Sequence, residues 1–384
     1  MRSARLFLTL SLVALLLSVA GSFRVRAGQV PGNDEYRVLT PLVSGNLTIF
    51  PVVARDQHST SSFLTLDEGI RSGEVVVTES GNIQPLIRGH RPIRPRGDAQ
   101  VNTLLLVNNS KRPLLLLAGE IVTGGKQDRV IAKDRIVPAE SDPIDLGVFC
   151  VEPGRWVAHS DNFGAGALAQ PKVRAQAMAN KNQQEVWASV RDSQSKATET
   201  VEVQGAAAGV PAAPRALAEL HSTTSYAQVM NNSEVKKQTD KIIEPIQRGY
   251  QSLIHELRTK NAVGVVAAVN GQILWADIFA SPDLLERYWP KLVRSYAAEA
   301  MTAGNRGGKV TESEAQAFLN QKNIMHETAE TEPGVFRHAE MTGTDVKVFE
   351  LTSLLPKMNF AVHTAIMHDE TVAWKIEPRP LVRR

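Results

Sequence analysis

Between residues 36 and 156 the sequence is a succession of short apolar segments, rich in β-branched residues and bounded by Gly, Pro, Asn and Ser. This pattern is typical of β-strands joined by turns. One short helix interrupts the strands, because Thr65 and Glu68 form a capping box and Gly73 can end the helix. The spacing predicts a sandwich-like packing of mostly antiparallel strands. The predicted strands are 47–53, 74–78, 101–107, 114–117, 121–123, 130–132 and 146–151.

The composition changes after residue 166 to Ala, Gln, Asn, Lys and Glu, which predicts a helix that begins near Pro171. A Gly, Ala and Pro-rich stretch predicts a mobile loop near 203–216. From Ser233 onward apolar residues recur every three or four positions. This period predicts an amphipathic helix that covers the sheet and that Pro245 kinks or splits.

Asn270-Gly271 lies between two apolar runs and predicts a tight β-hairpin, because these residues accept the positive dihedral angles of such a turn. Ser281 and Pro282 then predict the start of a helix that extends to about residue 301. Residues 347–351 and 360–367 are further candidate strands. We therefore expect an α+β fold, in which a mostly antiparallel, sandwich-like N-terminal half packs with long helices and with a C-terminal hairpin and helix.

The first 27 residues have the features of a secretory signal peptide: a basic start, an apolar run and small residues before Gly21 or Gly28. The apolar run is too short for a membrane-spanning helix. We expect one domain over 34–301, and a partly β C-terminal extension with a basic tail over 302–384. The expected location is extracytoplasmic, either secreted or periplasmic, with no attachment to a membrane after cleavage.

The chain has 384 residues, of which 43% are hydrophobic and 22% are charged, and this composition excludes disorder throughout. The formal net charge is +3, and removal of residues 1–27 with their four arginines would change it to −1. A nearly neutral protein has no broad field for nucleic acid or an anionic membrane, so neither partner is expected. The single Cys excludes an intramolecular disulfide.

The first candidate site is a polar segment that follows an apolar strand. Two adjacent glycines allow backbone amides to approach a ligand, and the Lys and Arg side chains could bind phosphate or carboxylate. The segment is not a Walker loop, because a Gln stands where Ser or Thr would hold magnesium. A Gly-rich turn with solvated charges is the alternative interpretation. The candidate ligand-binding residues here are Gly124, Gly125, Lys126, Gln127 and Arg129.

The second candidate site follows the strand that ends near Cys150. Glu152 and Arg155 stand at a strand end, where loops often present reactive groups, and they suit acid/base chemistry or, for Arg155, binding of an anionic ligand. A structural ion pair between them is the alternative interpretation. We expect Cys150 to be an inert core residue. Glu120 precedes the first candidate site, and Glu120 with Glu152 could supply an acid and a base.

Other common sites are disfavoured. The sequence has no His-Glu-x-x-His motif, and His363 and His368 are five positions apart, which does not suit a helical zinc pair. It also has no Gly-x-Ser-x-Gly elbow and no Gly-x-Gly-x-x-Gly motif after a strand. We therefore expect no metal and no cofactor.

The order of several short motifs resembles the ADP-ribosylglycohydrolase- and rhodanese-phosphatase-associated protein domain family over about residues 36–301. The resemblance implies a role near ADP-ribose or phosphate chemistry, by association only, and supplies no assigned catalytic residue. In chain order the motifs are Val-Asn-Asn-Ser from residue 107, Leu-Ala-Gly-Glu from 117, Gly-Gly-Lys-Gln-Asp-Arg from 124, Cys-Val-Glu-Pro-Gly-Arg-Trp from 150, Val-Gly-Val-Val-Ala from 263 and Asp-Ile-Phe from 277.

Two functions are compatible with these residues. The first is a non-catalytic module that binds a small anionic or phosphate-bearing ligand or a protein partner, through the two glycine-bearing loops. The alternative is a hydrolase for an ADP-ribose-, phosphate- or glycoside-type substrate, with Glu120 and Glu152 as paired carboxylates. A homo-oligomer is also compatible, if Val186, Trp187 and Val190 face a partner. Both functions require the loop at Gly125 and the loop at Arg155 to meet in one hollow.

Overall fold

The computed structural model describes residues 35–80, 100–207, 209, 212–259, 262–321 and 323–368, and only the backbone of 252–259. The predicted signal peptide and basic tail lie outside the described residues, as does part of the predicted loop near 203–216. The described residues form eight α-helices and three β-sheets, so the predicted α+β class is confirmed. No helix in these ranges is both long and apolar enough to span a bilayer.

The largest sheet has nine described strands, all antiparallel to their neighbours. Asn270 and Gly271, with φ of 52° and 76°, form the predicted turn between two of them. In spatial order the strands are β1 (Tyr36–Val38), β3 (Leu47–Ala54), β13 (Ala262–Val269), β14 (Gln272–Phe279), β18 (Met358–His368), β17 (Val346–Leu355), β16 (Phe336–Gly343) and β15 (Ile324–Glu332), with β2 (Leu42–Ser44) beside β3.

Two smaller sheets form the sandwich-like part. The six-stranded sheet has the order β12 (Phe163–Leu168), β8 (Glu120–Gly124), β9 (Arg129–Ile131), β11 (Ile144–Cys150), β6 (Thr103–Asn108) and β5 (Val75–Glu79). The three-stranded sheet has the order β10 (Arg135–Val137), β7 (Leu114–Leu116) and β4 (Leu64–Thr65), and its β4–β7 pair is parallel.

The helices pack around these sheets. The predicted capping box at Thr65 and the predicted helix start at Pro282, with Ser281 as the N-cap, are confirmed. A π-helical turn, Gln176–Asn180, follows the second helix. The helices are α1 (Leu66–Ser72), α2 (Pro171–Ala175), α3 (Gln183–Ala207), α4 (Pro214–Ser222), α5 (Tyr226–Asn231), α6 (Ser233–Thr259), α7 (Pro282–Ala303) and α8 (Glu312–Leu319).

A single strand can contribute side chains to two hydrophobic cores, because successive residues point to opposite faces of a sheet. Leu114 and Leu116 pack between the two smaller sheets, whereas Leu115 packs into the core of the nine-stranded sheet and α7. Val122 also faces the first of these cores, and its neighbour Ile121 packs against α2, α3 and α5. The sheets and helices are thus stacked in layers that share strands.

Several details differ from the sequence prediction. Strand β3 belongs to the nine-stranded sheet and not to the sandwich-like part. Pro245 does not split α6, which continues from Ser233 to Thr259, and the neighbouring Ile243 and Ile246 pack into the core of the nine-stranded sheet. Residues 324–368, assigned from sequence to an extension, contribute four strands to the nine-stranded sheet.

Candidate functional site

The two glycine-bearing loops lie in contact with each other. Gly124 ends β8, and Arg155 follows β11. Nη1 of Arg155 donates a hydrogen bond to the carbonyl oxygen of Gly125 at 2.9 Å, and Nη2 lies 3.4 Å from the carbonyl oxygen of Gly124. The structure therefore brings the two predicted loops to one place. We call the side chains of Glu79, Lys126, Gln127, Asp128, Arg129, Glu152, Arg155 and Trp156 the loop cluster.

The two adjacent glycines are required by close packing inside the protein. Gly125 has φ of 48°, and a Cβ atom there would lie 2.2 Å from the ring of Phe163 and 2.8 Å from Glu79 Oε1. A Cβ atom on Gly124, with φ of 129°, would lie 2.5 Å from Ser160 Oγ. The glycines thus let the loop approach β12 and its preceding segment, and this role is independent of a ligand.

Two carboxylates of the loop cluster hold its backbone in place. Glu152 Oε2 accepts a hydrogen bond from the amide of Asp128 at 3.1 Å and also pairs with Arg155. Asp128 accepts from the amide of Gly124 at 3.0 Å and from the hydroxyl of Ser225 at 2.6 Å. Burial raises the pKa of Asp128, against the effect of the Ser225 hydrogen bond. Both carboxylates therefore already have hydrogen-bond partners within the protein.

Arg129 forms the buried base of the loop cluster. Its side chain is fully buried, with Nε donating to the carbonyl of Val101 at 3.0 Å and Nη1 donating to that of Gln127 at 2.7 Å. Nη2 lies 3.9 Å from Glu79 Oε1, which accepts a hydrogen bond from the amide of Lys126 at 2.8 Å. Burial lowers the pKa of the Arg129 guanidinium. Glu79 therefore joins β5 to the β8–β9 loop and to Arg129.

Four buried polar atoms of the loop cluster have no hydrogen-bond partner within the described part of the chain. They are two donors, Arg129 Nη2 and Arg155 Nε, and two acceptors, Glu79 Oε2 and Gln127 Oε1. Buried polar atoms are normally paired, and an unpaired one costs about 1–3 kcal/mol. Four such atoms in one cluster indicate a place where an additional molecule would form hydrogen bonds.

The surface side of the loop cluster is aromatic and cationic. Trp156 is 43% exposed, and the Lys126 ammonium and the Arg129 guanidinium lie 5.1 and 5.8 Å from its ring centroid. The neighbouring Val157 is also exposed, as is Val101, whose carbonyl binds Arg129. The aromatic ring and the Lys126 ammonium can therefore contact a ligand that has both an apolar face and an anionic group, while the Arg129 guanidinium is buried.

Glu120 does not belong to the loop cluster. Its carboxylate accepts from the amide of Leu117 at 2.9 Å and pairs with Lys291 at 3.0 Å, and Lys291 also pairs with Asp67 at 2.7 Å. Burial raises the pKa of Glu120, and the Lys291 ammonium opposes this shift. Glu120 begins β8 and Gly124 ends it, so about 13 Å of extended strand separates Glu120 from the loop that contacts Glu152. The structure does not bring the two predicted carboxylates together.

Cys150 is buried beside the loop cluster, as expected for a core residue. Burial raises the pKa of its thiol. The side-chain amide of Gln183 binds both the backbone amide and the carbonyl of Cys150 at 2.9 Å. Gln183 begins α3, which also contains Val186 and Val190. These two valines are buried in the protein's own core, so they do not face a partner as the predicted homo-oligomer requires.

A second set of charged and polar side chains was not recognised from the sequence. We call it the buried network, and it consists of Asp134, Arg174, Asp277, Tyr296 and His363. Two guanidinium nitrogens of Arg174 bind the two oxygens of Asp277, each at 2.9 Å. His363 lies 2.6 Å from Asp134 and 3.1 Å from Asp277, and the hydroxyl of Tyr296 also binds Asp277. All five residues are at most 1% exposed.

The electrostatics of the buried network favour its charged forms. Burial opposes ionisation, but the two neighbouring carboxylates raise the pKa of His363 to about 9. Although burial also disfavours charge on the acids, Arg174 lowers the pKa of Asp277 and His363 lowers that of Asp134. Both imidazole nitrogens face carboxylates, so neither is available to a ligand.

A sequence signal for the buried network exists in two strands. Asp277 interrupts the apolar strand β14, and His363 interrupts the apolar strand β18. A charged or titratable residue within an apolar strand indicates a buried, paired group. Neither Asp134 nor Arg174 was recognised from the sequence, because their partners are far away in the chain.

These observations define a mostly antiparallel α+β domain with a fully enclosed ionic network and a charged cluster that opens to the surface at Trp156. The model of the ARG and Rhodanese-Phosphatase-superfamily-associated Protein domain matches residues 35–368, and the chain belongs to this family. The resemblance inferred from the motifs is confirmed, and the match continues through β15 to β18. Searches of curated proteins and of solved structures gave no significant match.

Proposed function

We propose that the protein is a non-catalytic binding module that holds a small anionic or phosphate-bearing ligand at the loop cluster. The supporting observation is the set of four unpaired, buried polar atoms beside the exposed Trp156 ring. Lys126 provides a cation at the surface side, and Arg129 provides an unpaired guanidinium nitrogen at the base. Cationic groups in a partly desolvated position form strong hydrogen bonds to phosphate and carboxylate oxygens.

Binding explains the geometry better than catalysis does. The carboxylates of Asp128 and Glu152 accept hydrogen bonds from the loop backbone and thereby fix the loop. Glu120 belongs to a separate ionic group with Lys291. Paired-carboxylate hydrolysis requires two carboxyl groups on opposite sides of one bond, and this arrangement has no support here.

Thermal unfolding in the presence of anions tests the proposal. The purified protein is measured with inorganic phosphate, nucleotides, sugar phosphates and anionic glycans, and at least one should raise the melting temperature by mass action. In Lys126→Ala the affinity should fall about tenfold, equivalent to about 1.4 kcal/mol. The exposed Lys111 provides a charge-matched control, Lys111→Ala, which should bind as the wild type does.

Two results would overturn the proposal. One is the absence of any shift with all four classes of anion. The other is an equal shift for the wild type and Lys126→Ala. Since Lys126 is only partly buried, its removal should leave the melting temperature without ligand nearly unchanged, and a loss of binding would not reflect unfolding.

A further inference from the structure

The charge balance of the loop cluster does not suit a bare anion. Lys126, Arg129 and Arg155 contribute three cations, and Glu79, Asp128 and Glu152 contribute three carboxyl groups to the same cluster. Glu79 lies 3.9 Å from Arg129, so an anion that reaches this guanidinium also approaches a carboxylate. Selectivity for a ligand must therefore come from its hydrogen-bonding pattern as well as from its charge.

The unpaired acceptors specify part of that pattern. Glu79 Oε2 can only accept a hydrogen bond when the carboxylate is ionised. The orientation of the Gln127 amide is fixed because Nε2 donates to the carbonyl of Glu152 at 3.1 Å, and this leaves Oε1 as the unpaired acceptor. The dianionic phosphate group of a monoester has no hydrogen to donate to either oxygen. Hydroxyl groups both donate and accept, so they can pair with these acceptors and with the unpaired nitrogens of Arg129 and Arg155.

The exposed face of Trp156 adds a third requirement. Its indole ring and the adjacent Val157 form an apolar surface at the edge of the cluster. Burial of such a surface favours a ligand with a compact ring whose C–H groups or aromatic face can pack against the indole. An inorganic ion cannot make this contact.

We infer that the ligand is a hydroxylated ring that carries an anionic group, as in a sugar phosphate. The inference rests on the proposed function and names the class of its ligand. The anionic group contacts Lys126 and the guanidinium of Arg129, and the hydroxyl groups donate to Glu79 and Gln127. The ring packs against Trp156.

Matched ligands test this inference by isothermal titration calorimetry on the wild-type protein. Glucose 1-phosphate and cyclohexyl phosphate have a six-membered ring and the same anionic group, but only the first has ring hydroxyls. We expect glucose 1-phosphate to bind at least tenfold more tightly. AMP and its 2′,3′-dideoxy form make the same comparison for a nucleotide, and the tighter of the two hydroxylated ligands identifies the source of the ring.

A variant of the acceptor provides the second measurement. Glu79→Gln retains one oxygen for the Lys126 amide and replaces the other oxygen with a donor. The preference for glucose 1-phosphate over cyclohexyl phosphate, or for AMP over its dideoxy form, should fall at least fivefold. The control Glu330→Gln removes an exposed carboxylate outside the cluster and should leave the preference unchanged.

The outcomes separate the two proposals. Equal binding of the hydroxylated and hydroxyl-free ligands overturns the inference and leaves the proposed function intact, as does binding of inorganic phosphate alone. Binding of none of these anions overturns the inference, and the proposed function fails with it if anionic glycans also give no thermal shift. Because the ligand comparison uses the wild type, it holds even if Glu79→Gln is poorly folded.

Discussion

The buried network and the loop cluster contain the same kinds of charged side chain but differ in how completely their polar atoms are paired. In the buried network both oxygens of Asp277 and both nitrogens of His363 have partners, and its one unpaired buried atom among the described residues is Arg174 Nε. The loop cluster leaves four such atoms unpaired and is open at Trp156.

This difference separates a structural role from a binding role. The buried network joins β14 and β18 of the nine-stranded sheet to α2 and to the β9–β10 connection, and it has no opening to solvent. Its charges hold these layers in one arrangement, since removal of one partner would leave another charge buried and uncompensated. The loop cluster has unpaired atoms that are buried next to residues exposed at the surface, Trp156 and Val157.

The comparison predicts the largest loss of stability for Asp277→Asn. This change removes the charge that compensates Arg174 in the core, and we expect the free energy of unfolding to fall by about 3–5 kcal/mol. Chemical denaturation measures the change. The control Asp240→Asn breaks a half-exposed pair with Arg294, 3.0 Å apart, and should cost less than about 1 kcal/mol. Similar losses for both variants would show that the buried network has no special structural role.

The pH dependence of stability should identify His363. Its pKa is about 9 in the folded protein, above the value of about 6.5 expected when unfolded, so its contribution is complete below about pH 6.5 and is lost as the pH rises through about 9. The free energy of unfolding should decrease by up to about 3 kcal/mol across this range. In His363→Gln this decrease should be absent from urea titrations at the same pH values. An unchanged slope in the variant would refute the assignment.

Gly119→Ala should have an intermediate effect. Gly119 has φ of 92°, and a Cβ atom there would lie 2.5 Å from Cγ of Arg174. We expect a loss of about 2 kcal/mol from backbone strain and displacement of Arg174. Gly147→Ala is the control, because a Cβ atom at Gly147 would have no neighbour within 4 Å. Thermal unfolding of both variants tests whether the buried network requires Gly119, and equal melting temperatures would show that it does not.

Arg155→Lys should have the smallest effect on global stability, about 1 kcal/mol, because one ammonium cannot replace both the Nη1 contacts with the carbonyls of Gly125 and Val157 and the Nη2 contact with Glu152. Its effect should instead be local. Hydrogen exchange of the amides in the β8–β9 loop should accelerate while the central strands stay protected. Arg294→Lys, at an exposed pair, is the control, and uniform acceleration over the whole chain would contradict a local role.

The sequence predicted those features whose interactions are local. The capping box at Thr65, the turn at Asn270 and the cap at Ser281 each depend on residues within about four positions, and all three are present. Family membership was likewise recognisable, because it depends on the order of short motifs. Of the candidate site residues, the structure groups Gly124 to Arg129 with Arg155.

The sequence could not assign the roles of those residues. Gly124 and Gly125 fit against Ser160 and Phe163, which are more than thirty positions away. Nothing in the local pattern showed that Glu120 points to Lys291, whose residue number differs by 171. Charged residues were therefore recognised by type, while their partners and burial were not.

The sequence by itself determined the family of this protein, many of its strands, the turn at Asn270 and the helix starts at Leu66 and Pro282, because backbone propensities and caps act over a few residues. Only the tertiary structure decided which charges are paired. Asp277 meets Arg174 across 103 positions, and Asp134 meets His363 across 229. Electrostatic pairing depends on distance in space and on exclusion of water, and both are set by the packing of the whole domain.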